Sequence, residues 1–226
     1  MRENNIFSFN YKNKKRKLWL HGFLFAVFII VFLLFLFCFT VKSDEHKQIE
    51  VPDCNKIIPY LQHGDIILRS GVGFWSELFR ESNKLDKRFS HVGIIQKAAD
   101  GKFLVLHAEA DDYSGKGTVR TECLESFVSA SSAIGISRLK KGDPDKFFQS
   151  AMKETGKPFD WKFDKDDGSE IYCTELVDLA LKHSGIASGL KISGGLFLPE
   201  SCLDPEYFRE IIPDSPSDKI KTPTAE

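Results

Sequence analysis

Two short segments of the chain carry residue types that suit a thiol-based reaction. Ser90-His91-Val92-Gly93-Ile94 places an imidazole at the start of an apolar, strand-like run, and Tyr172-Cys173-Thr174-Glu175-Leu176 places a thiol at the start of an amphipathic helix. A thiol becomes a useful nucleophile when its pKa is lowered or its proton is removed. A helix N-terminus favours the thiolate, and a nearby imidazole can accept the proton. The two segments therefore predict a cysteine hydrolase with His91 as base and Cys173 as nucleophile.

The same thiol has a plainer interpretation. Cysteine is often a small buried hydrophobic residue without a chemical role. In that case the domain would be a non-catalytic binding module of the cell envelope, with Cys173 as a structural residue.

His107 and Glu109 are the candidates for a third polar residue that orients His91. Both lie on the strand predicted after the His91 strand, and alternation places them on one face of it. Asp100-Gly101 is a hairpin signal between the two strands, so it brings this face back beside the imidazole. Either residue can therefore complete a triad.

Metal binding by His91, His107 and Cys173 is the rival chemistry. A metal site of this kind is usually marked by a His-x-x-x-His helix or a cysteine pair, and the sequence has neither around these residues. We therefore expect no metal and no other cofactor.

The charge of the chain is unevenly distributed. The 226 residues carry a net charge of −1, but residues 1–17 contain six Lys or Arg and one acidic residue, a charge of +5, which leaves −6 for the remainder. A mildly acidic body gives no reason to expect a nucleic-acid partner. The oligomeric state is not readable from the sequence.

Residues 18–41 contain no charged side chain and include seven phenylalanines. As a helix they would extend about 36 Å, enough to cross a hydrocarbon core of about 30 Å. The basic cluster before them keeps the N-terminus cytoplasmic by the positive-inside rule. We expect a single-pass anchor in the cytoplasmic membrane with the catalytic domain on the exported side. The alternative is a signal peptide that is cleaved to give a secreted protein.

This organisation divides the chain into five parts. They are a basic cytoplasmic N-terminus (1–17), a transmembrane signal anchor (18–41), a linker (42–56), a hydrolase domain (57–212) and a disordered tail (213–226).

Apolar periodicity and turn signals in the hydrolase domain predict strands that alternate irregularly with helices. Strands are expected at 64–70, 91–98, 103–110, 133–139 and 196–199, with a short one at 118–121. Helices are expected at 74–82, 124–128, 143–155 and from 168 or 169 to 185. Antiparallel strands with helices grouped around them indicate an α+β domain.

The cysteines leave the disulfide pattern open. One of the five, Cys38, lies in the apolar segment. If Cys173 is catalytic and free, then Cys54, Cys123 and Cys202 cannot all pair, and their spacing identifies no bond.

Three motifs in order carry a family resemblance: Gly64-Asp65-Ile66-Ile67, then Ser90-His91-Val92-Gly93-Ile94, then Tyr172-Cys173-Thr174-Glu175-Leu176-Val177. This order resembles the YiiX/YebB-like permuted papain-fold amidases, which are circularly permuted relatives of the NlpC-type cell-wall peptidases. The resemblance covers about residues 57–208. It implies a permuted papain-like domain, an antiparallel sheet or partial barrel with the nucleophile at a helix N-terminus.

The resemblance also assigns roles. It implies Cys173 as nucleophile, His91 as general base and His107 as the third residue, at a position where many relatives have Glu, with Glu109 in reserve. It places Tyr172 near the thiol as a substrate or oxyanion donor, although a core aromatic is an equally good interpretation. The implied reaction is cleavage of an amide bond, with cell-wall-derived peptides as one candidate substrate. The alternative is a lipid acyltransferase or thioesterase of the same fold.

Overall fold

The computed structural model describes residues 27–32, 51–111, 114–187 and 189–213, and the chain divides into a unit of residues 1–49 and a unit of residues 50–226. In the first unit, residues 27–32 are helical and exposed. The predicted transmembrane segment otherwise lies outside the described residues, as do most of the linker and of the tail. Within the described ranges, no helix combines the length and apolar character needed to span a bilayer.

The second unit consists of short helices and strands in mixed order. Helices α1 to α5 span Cys54–Ile57, Phe74–Ser82, Leu124–Ser129, Pro144–Met152 and Cys173–His183. Strands β1 to β8 span Ile66–Gly71, His91–Lys97, Phe103–Ala110, Gly117–Cys123, Ser131–Leu139, Ile192–Ser193, Leu196–Phe197 and Phe208–Ile211. Two 3-10 helices span Ile58–Tyr60 and Pro199–Leu203.

Among the residues that the structure describes, six strands form one antiparallel sheet in the order β4-β3-β2-β1-β5-β8. The other two, β6 and β7, pair with each other. The predicted α+β class with an antiparallel sheet is confirmed. Strand β8 was not predicted, because four residues are too few to show a period.

The two faces of the large sheet bury different cores. Alternate residues of β2 and β3, such as Val92 and Leu106, pack with α4 and α5 in one core. The residues between them, such as Ile95 and Val105, pack with α1 and α3 in the other. Because side chains alternate along a strand, His91 and His107 lie on the α3 face.

Strand β4 forms one edge of the sheet, and its first half is covered by the segment after α4. Backbone N–H groups of Gly156 and Phe159 donate to the carbonyl oxygens of Val119 and Gly117, and the Val119 N–H donates to Lys157. The strand is longer than predicted, because pairing with β3 continues as far as Cys123.

Helix α5 begins at Cys173, four or five residues later than the predicted start at 168 or 169. The preceding chain is extended, since the Ile171 N–H donates to the Pro158 carbonyl and the Asp160 N–H donates to the Ile171 carbonyl. Tyr172 then has the β-region backbone of an N-cap residue. This pairing places the thiol on the first residue of the helix.

The acidic residue of the first motif, Asp65, has a structural role. Its buried carboxylate accepts hydrogen bonds from the Gln62 backbone N–H at 2.7 Å and from the Arg138 guanidinium at 2.7 and 2.8 Å. Burial raises the pKa of Asp65, and the hydrogen bonds and charge of Arg138 act against that rise. The pair joins the start of β1 to β5.

Replacing Asp65 by alanine should lower the free energy of unfolding by on the order of 3 kcal/mol, because the Arg138 guanidinium loses its buried partner. Urea denaturation followed by circular dichroism measures the change. Glu81→Ala is the control, since Glu81 and Lys87 form an exposed pair. A loss in Asp65→Ala no larger than that in the control would contradict the structural role.

Candidate active site

Cys173 occupies the N-terminal end of α5, where backbone N–H groups point away from the helix. The backbone N–H groups of Val92, Thr174 and Cys173 itself lie near enough to the sulfur to lower the pKa of the thiol. Val92 directly follows His91, so the thiol and the imidazole belong to the same end of β2. The helix brings a partly buried thiol to the start of the strand that carries the predicted base.

The pKa of the Cys173 thiol is raised, whereas the sequence predicts that the helix N-terminus lowers it. Burial raises the pKa of Cys173 to about 11, and the backbone N–H groups and the positive charge of Arg69 offset this only in part. The resting side chain is therefore a neutral thiol. A base must remove its proton during the reaction.

Glu175, two residues after the thiol, makes a structural contact at the start of the helix. Its buried carboxyl group accepts a hydrogen bond from the Tyr172 backbone N–H at 3.4 Å, which caps the start of the helix. Burial raises the pKa of Glu175 to about 7. At neutral pH this capping group is therefore only partly ionised, which reduces the negative charge near the nucleophile.

The two predicted histidines are in direct contact. His91 Nε2 and His107 Nδ1 lie 2.9 Å apart, and both rings pack against Phe127 of α3. Burial lowers the pKa of His91 well below its usual value, and the nearby charges of Arg69, His107 and Arg120 lower it further. His91 is therefore neutral at rest, which is the state a general base requires.

Glu109 lies in a different place from the one expected of a third triad member. Its carboxylate binds the Arg69 guanidinium, and it lies 3.0 Å from Arg120 and 3.9 Å from His107 Nδ1. His107 is thus the residue that contacts His91, and Glu109 pairs with Arg69 and Arg120.

A second glutamate that the sequence did not identify, Glu122 of β4, also approaches the histidines. Its Oε1 lies 3.2 Å from His107 Nε2, an ion-pair distance without ideal hydrogen-bond alignment. The only indication in the sequence is that Glu122 lies two residues after Arg120, so that both side chains share one face of the strand. We refer to Arg69, His91, His107, Glu109, Arg120 and Glu122 as the polar cluster.

Tyr172 is buried, and its hydroxyl oxygen accepts a hydrogen bond from the Phe197 backbone N–H at 3.1 Å. Its ring packs against Phe163. Burial raises the pKa of this hydroxyl. These contacts favour the core-aromatic interpretation of Tyr172 over a role as substrate or oxyanion donor.

A family model described as the permuted papain-like amidase enzyme, YaeF/YiiX, C92 family, matches residues 60–199, which is more than half of the chain. The chain belongs to this family. Among solved structures, the crystal structure of the metalloprotein YiiX from Escherichia coli O157:H7 is similar, with a TM-score of 0.55 and 18% sequence identity over 69% of this chain and 98% of that chain. This likeness shows a shared fold. No curated protein matches the sequence.

In this member of the permuted papain-like amidase family, two cavities adjoin the polar cluster. The smaller, about 80 Å³, is lined by His91 and by the aromatic side chains of Trp75, Phe79, Phe159 and Trp161. The larger, about 520 Å³, has a polar lining that includes Glu109, Lys116, Thr118 and Arg120. Arg69, Ser76, Glu109 and Ala110 line both. A substrate can therefore occupy a wide polar region and place a small apolar group beside His91.

The crystallised relative is called a metalloprotein, and His91, His107 and Glu109 of this chain have ligand atoms within 4.8 Å of one another. Their surroundings do not suit a cation. The Glu109 carboxylate is already bound by Arg69 and Arg120, whose positive charges would repel a metal ion.

Replacing Arg69 by methionine should raise the pKa of both His91 and Cys173, because the Arg69 charge lowers both. NMR titration of the His91 ring and the pH dependence of Cys173 alkylation measure the two changes. Arg88→Met is the control, since Arg88 pairs instead with Asp86 and Glu210. An unchanged His91 titration in Arg69→Met would show that the arginine does not act on the base.

Proposed function

We propose that this protein is a cysteine-dependent amidase with Cys173 as nucleophile, His91 as general base and His107 as the residue that orients His91. The observation that carries the proposal is the 2.9 Å contact between His91 and His107 at the end of the strand that also contacts the thiol. Membership of an amidase family supports the same reaction class. A base held by a second polar residue beside a helix-borne thiol is the arrangement that nucleophilic acyl transfer requires.

The reaction begins from a neutral thiol and a neutral imidazole. Because His91 Nε2 faces His107, Nδ1 is the ring atom left to accept the thiol proton. The sulfur of Cys173 then forms a bond to the carbonyl carbon of the substrate. Backbone N–H groups at the start of α5 stabilise the resulting oxyanion.

The tetrahedral intermediate collapses when the carbon–nitrogen bond breaks. The proton on His91 passes to the departing nitrogen, so that a neutral amine leaves and a thioester remains on Cys173. A water molecule then attacks the thioester carbon after giving a proton to His91. The carboxylic acid is released, and the proton returns to the sulfur.

The cavities favour a substrate that is polar apart from a short group next to His91. The cavity of about 80 Å³ beside His91, which aromatic side chains line in part, is roughly the space of three water molecules. The polar cavity is large enough for several residues of a peptide. We therefore propose a peptide-like amide, with cell-wall-derived peptides as the candidate class.

One observation favours the lipid alternative, an acyltransferase or thioesterase. Helix α2 buries none of its residues, and Phe74 and Leu78 on it are 73% and 47% exposed. These side chains lie on the helix that supplies Trp75 and Phe79 to the cavity beside His91. A long acyl chain could lie along them.

The location of the protein stays a prediction. The charge pattern of residues 1–41 supports a membrane anchor with an exported domain, which is where cell-wall peptides are found.

Alkylation by iodoacetamide at neutral pH tests the proposed pair. Cys173 should be labelled in the parent chain, and His91→Ala should slow its labelling by about 10²-fold or more because the base is lost. Mass spectrometry of the labelled peptide distinguishes Cys173 from the partly exposed Cys54 and the exposed Cys123.

Cys123 serves as the internal control of that experiment, because it lies outside the polar cluster and its labelling should be equal in parent and variant. If Cys173 reacts equally fast in His91→Ala, the two residues do not act together and the proposed mechanism is wrong.

The acyl-enzyme identifies the substrate class. Incubation with nitrophenyl butyrate or nitrophenyl palmitate, followed by acid quenching, should leave a butyryl mass on the Cys173 peptide and little palmitoyl mass, since the cavity beside His91 is small. Cys173→Ala should carry neither mass. Faster formation of the palmitoyl adduct would favour the lipid alternative.

A further inference from the structure

Glu122 extends the contact between the two histidines into a chain of three residues. Its Oε1 lies 3.2 Å from His107 Nε2, while His107 Nδ1 lies 2.9 Å from His91 Nε2. His107 is fully buried between these two partners, and the Glu122 side chain is only 15% exposed. Each ring nitrogen of His107 therefore has one polar partner within 3.2 Å.

Only one arrangement of protons makes His91 a base. If His107 carries its proton on Nε2, Nδ1 is an acceptor, and His91 must donate from its own Nε2. His91 Nδ1 then has a free lone pair that can take the thiol proton. If His107 instead carries its proton on Nδ1, it donates to His91 Nε2, and His91 Nδ1 is protonated and cannot act as the base.

We propose that Glu122 is a positioning residue that holds His107 as the Nε2–H tautomer and so leaves His91 Nδ1 free to accept a proton. A carboxylate beside Nε2 attracts that proton, whereas it would repel the lone pair of the other tautomer. The consequence for catalysis rests on the proposed function, in which His91 is the base. The tautomer itself is a property of the folded chain.

The surroundings of Glu122 keep it ionised. Burial acts to raise its pKa, but the neighbouring His107 and the positive charges of Arg120 and Arg69 outweigh burial and lower it. Arg120 lies 3.4 Å and Arg69 lies 4.0 Å from the carboxylate. A negative Glu122 is therefore available next to His107 across the pH range in which His91 acts.

Glu109 cannot replace Glu122 in this role, although it belongs to the same cluster. It lies 3.9 Å from Nδ1 of His107, the nitrogen that already contacts His91, and its carboxylate binds Arg69 and Arg120. The two glutamates therefore form a matched pair that differs in which nitrogen of His107 each one approaches.

Nitrogen-15 NMR of the histidine rings in the full chain tests the proposal without any substrate. The parent should show His107 protonated at Nε2 and His91 protonated at Nε2. Glu122→Gln removes the charge but keeps the shape, so His107 should lose the uniform Nε2–H signature. Glu109→Gln should retain it.

The same variants report on the thiol. Glu122→Gln should slow Cys173 alkylation at neutral pH roughly tenfold or more, because part of the His91 population holds its proton on Nδ1. The acid limb of the pH profile should move to lower pH, since removing a negative charge destabilises the imidazolium. Glu122→Asp, which keeps the charge, should recover part of the rate.

The outcomes separate the two proposals. A parent chain with His107 protonated at Nδ1, or a Glu122→Gln variant with an unchanged tautomer, would overturn the role of Glu122 and leave the amidase intact. The parent measurement needs no variant, so it decides the question even if Glu122→Gln fails to fold. If the tautomer responds to Glu122 while His91→Ala labels Cys173 at the parent rate, the tautomer assignment stands and the amidase proposal falls.

Discussion

The close approach of β2 and β3 fixes the contact between His91 and His107. At Gly93, an added Cβ atom would lie 2.4 Å from Val105 Cγ1 and 3.3 Å from His107 Cβ, so a side chain here would push the strands apart. The register pairs Ile94 with Leu106, which places both histidines on one face. A slip of one residue would turn His107 towards the opposite core.

The arrangement of the two histidines also depends on the balance of charges within the polar cluster. Arg69 and Arg120 bring two positive charges beside the imidazoles, and Glu109 and Glu122 bring two negative ones. The arginines and burial keep His91 neutral at rest. The guanidinium of Arg69 also lies 4.5 Å from the Phe127 ring centre, which supports the cluster from α3.

The parts of the fold with a strong pattern were predictable from sequence. Strands β1, β2, β3 and β5 are apolar and bounded by turn residues, and the hairpin at Asp100-Gly101 gave the position of His107 correctly. The position of α5 was less accurate, because the extended pairing of Ile171 with Pro158 leaves no mark in the local sequence.

Glu122 could not be found by the same reasoning. Strand β4 carries polar and charged residues that face the polar cluster instead of a hydrophobic core, so its alternation resembles that of a surface strand. The thiol pKa was also beyond sequence reasoning. A helix N-terminus lowers it, but the opposing effect of burial depends on packing against β2 that only the structure shows.

The edge position of β4 has a consequence for the timing of the reaction. The segment after α4 secures this strand at Gly117 and Val119, whereas Glu122 lies near its other end. The outermost strand of a sheet frays at a lower free-energy cost than one with neighbours on both sides. Fraying there would detach the carboxylate from His107 while both hydrophobic cores stay folded. The rate of backbone hydrogen exchange at residues 120–123 would thus report how often Glu122 separates from His107. Turnover would then depend on this local opening of β4 and not on the global stability of the fold.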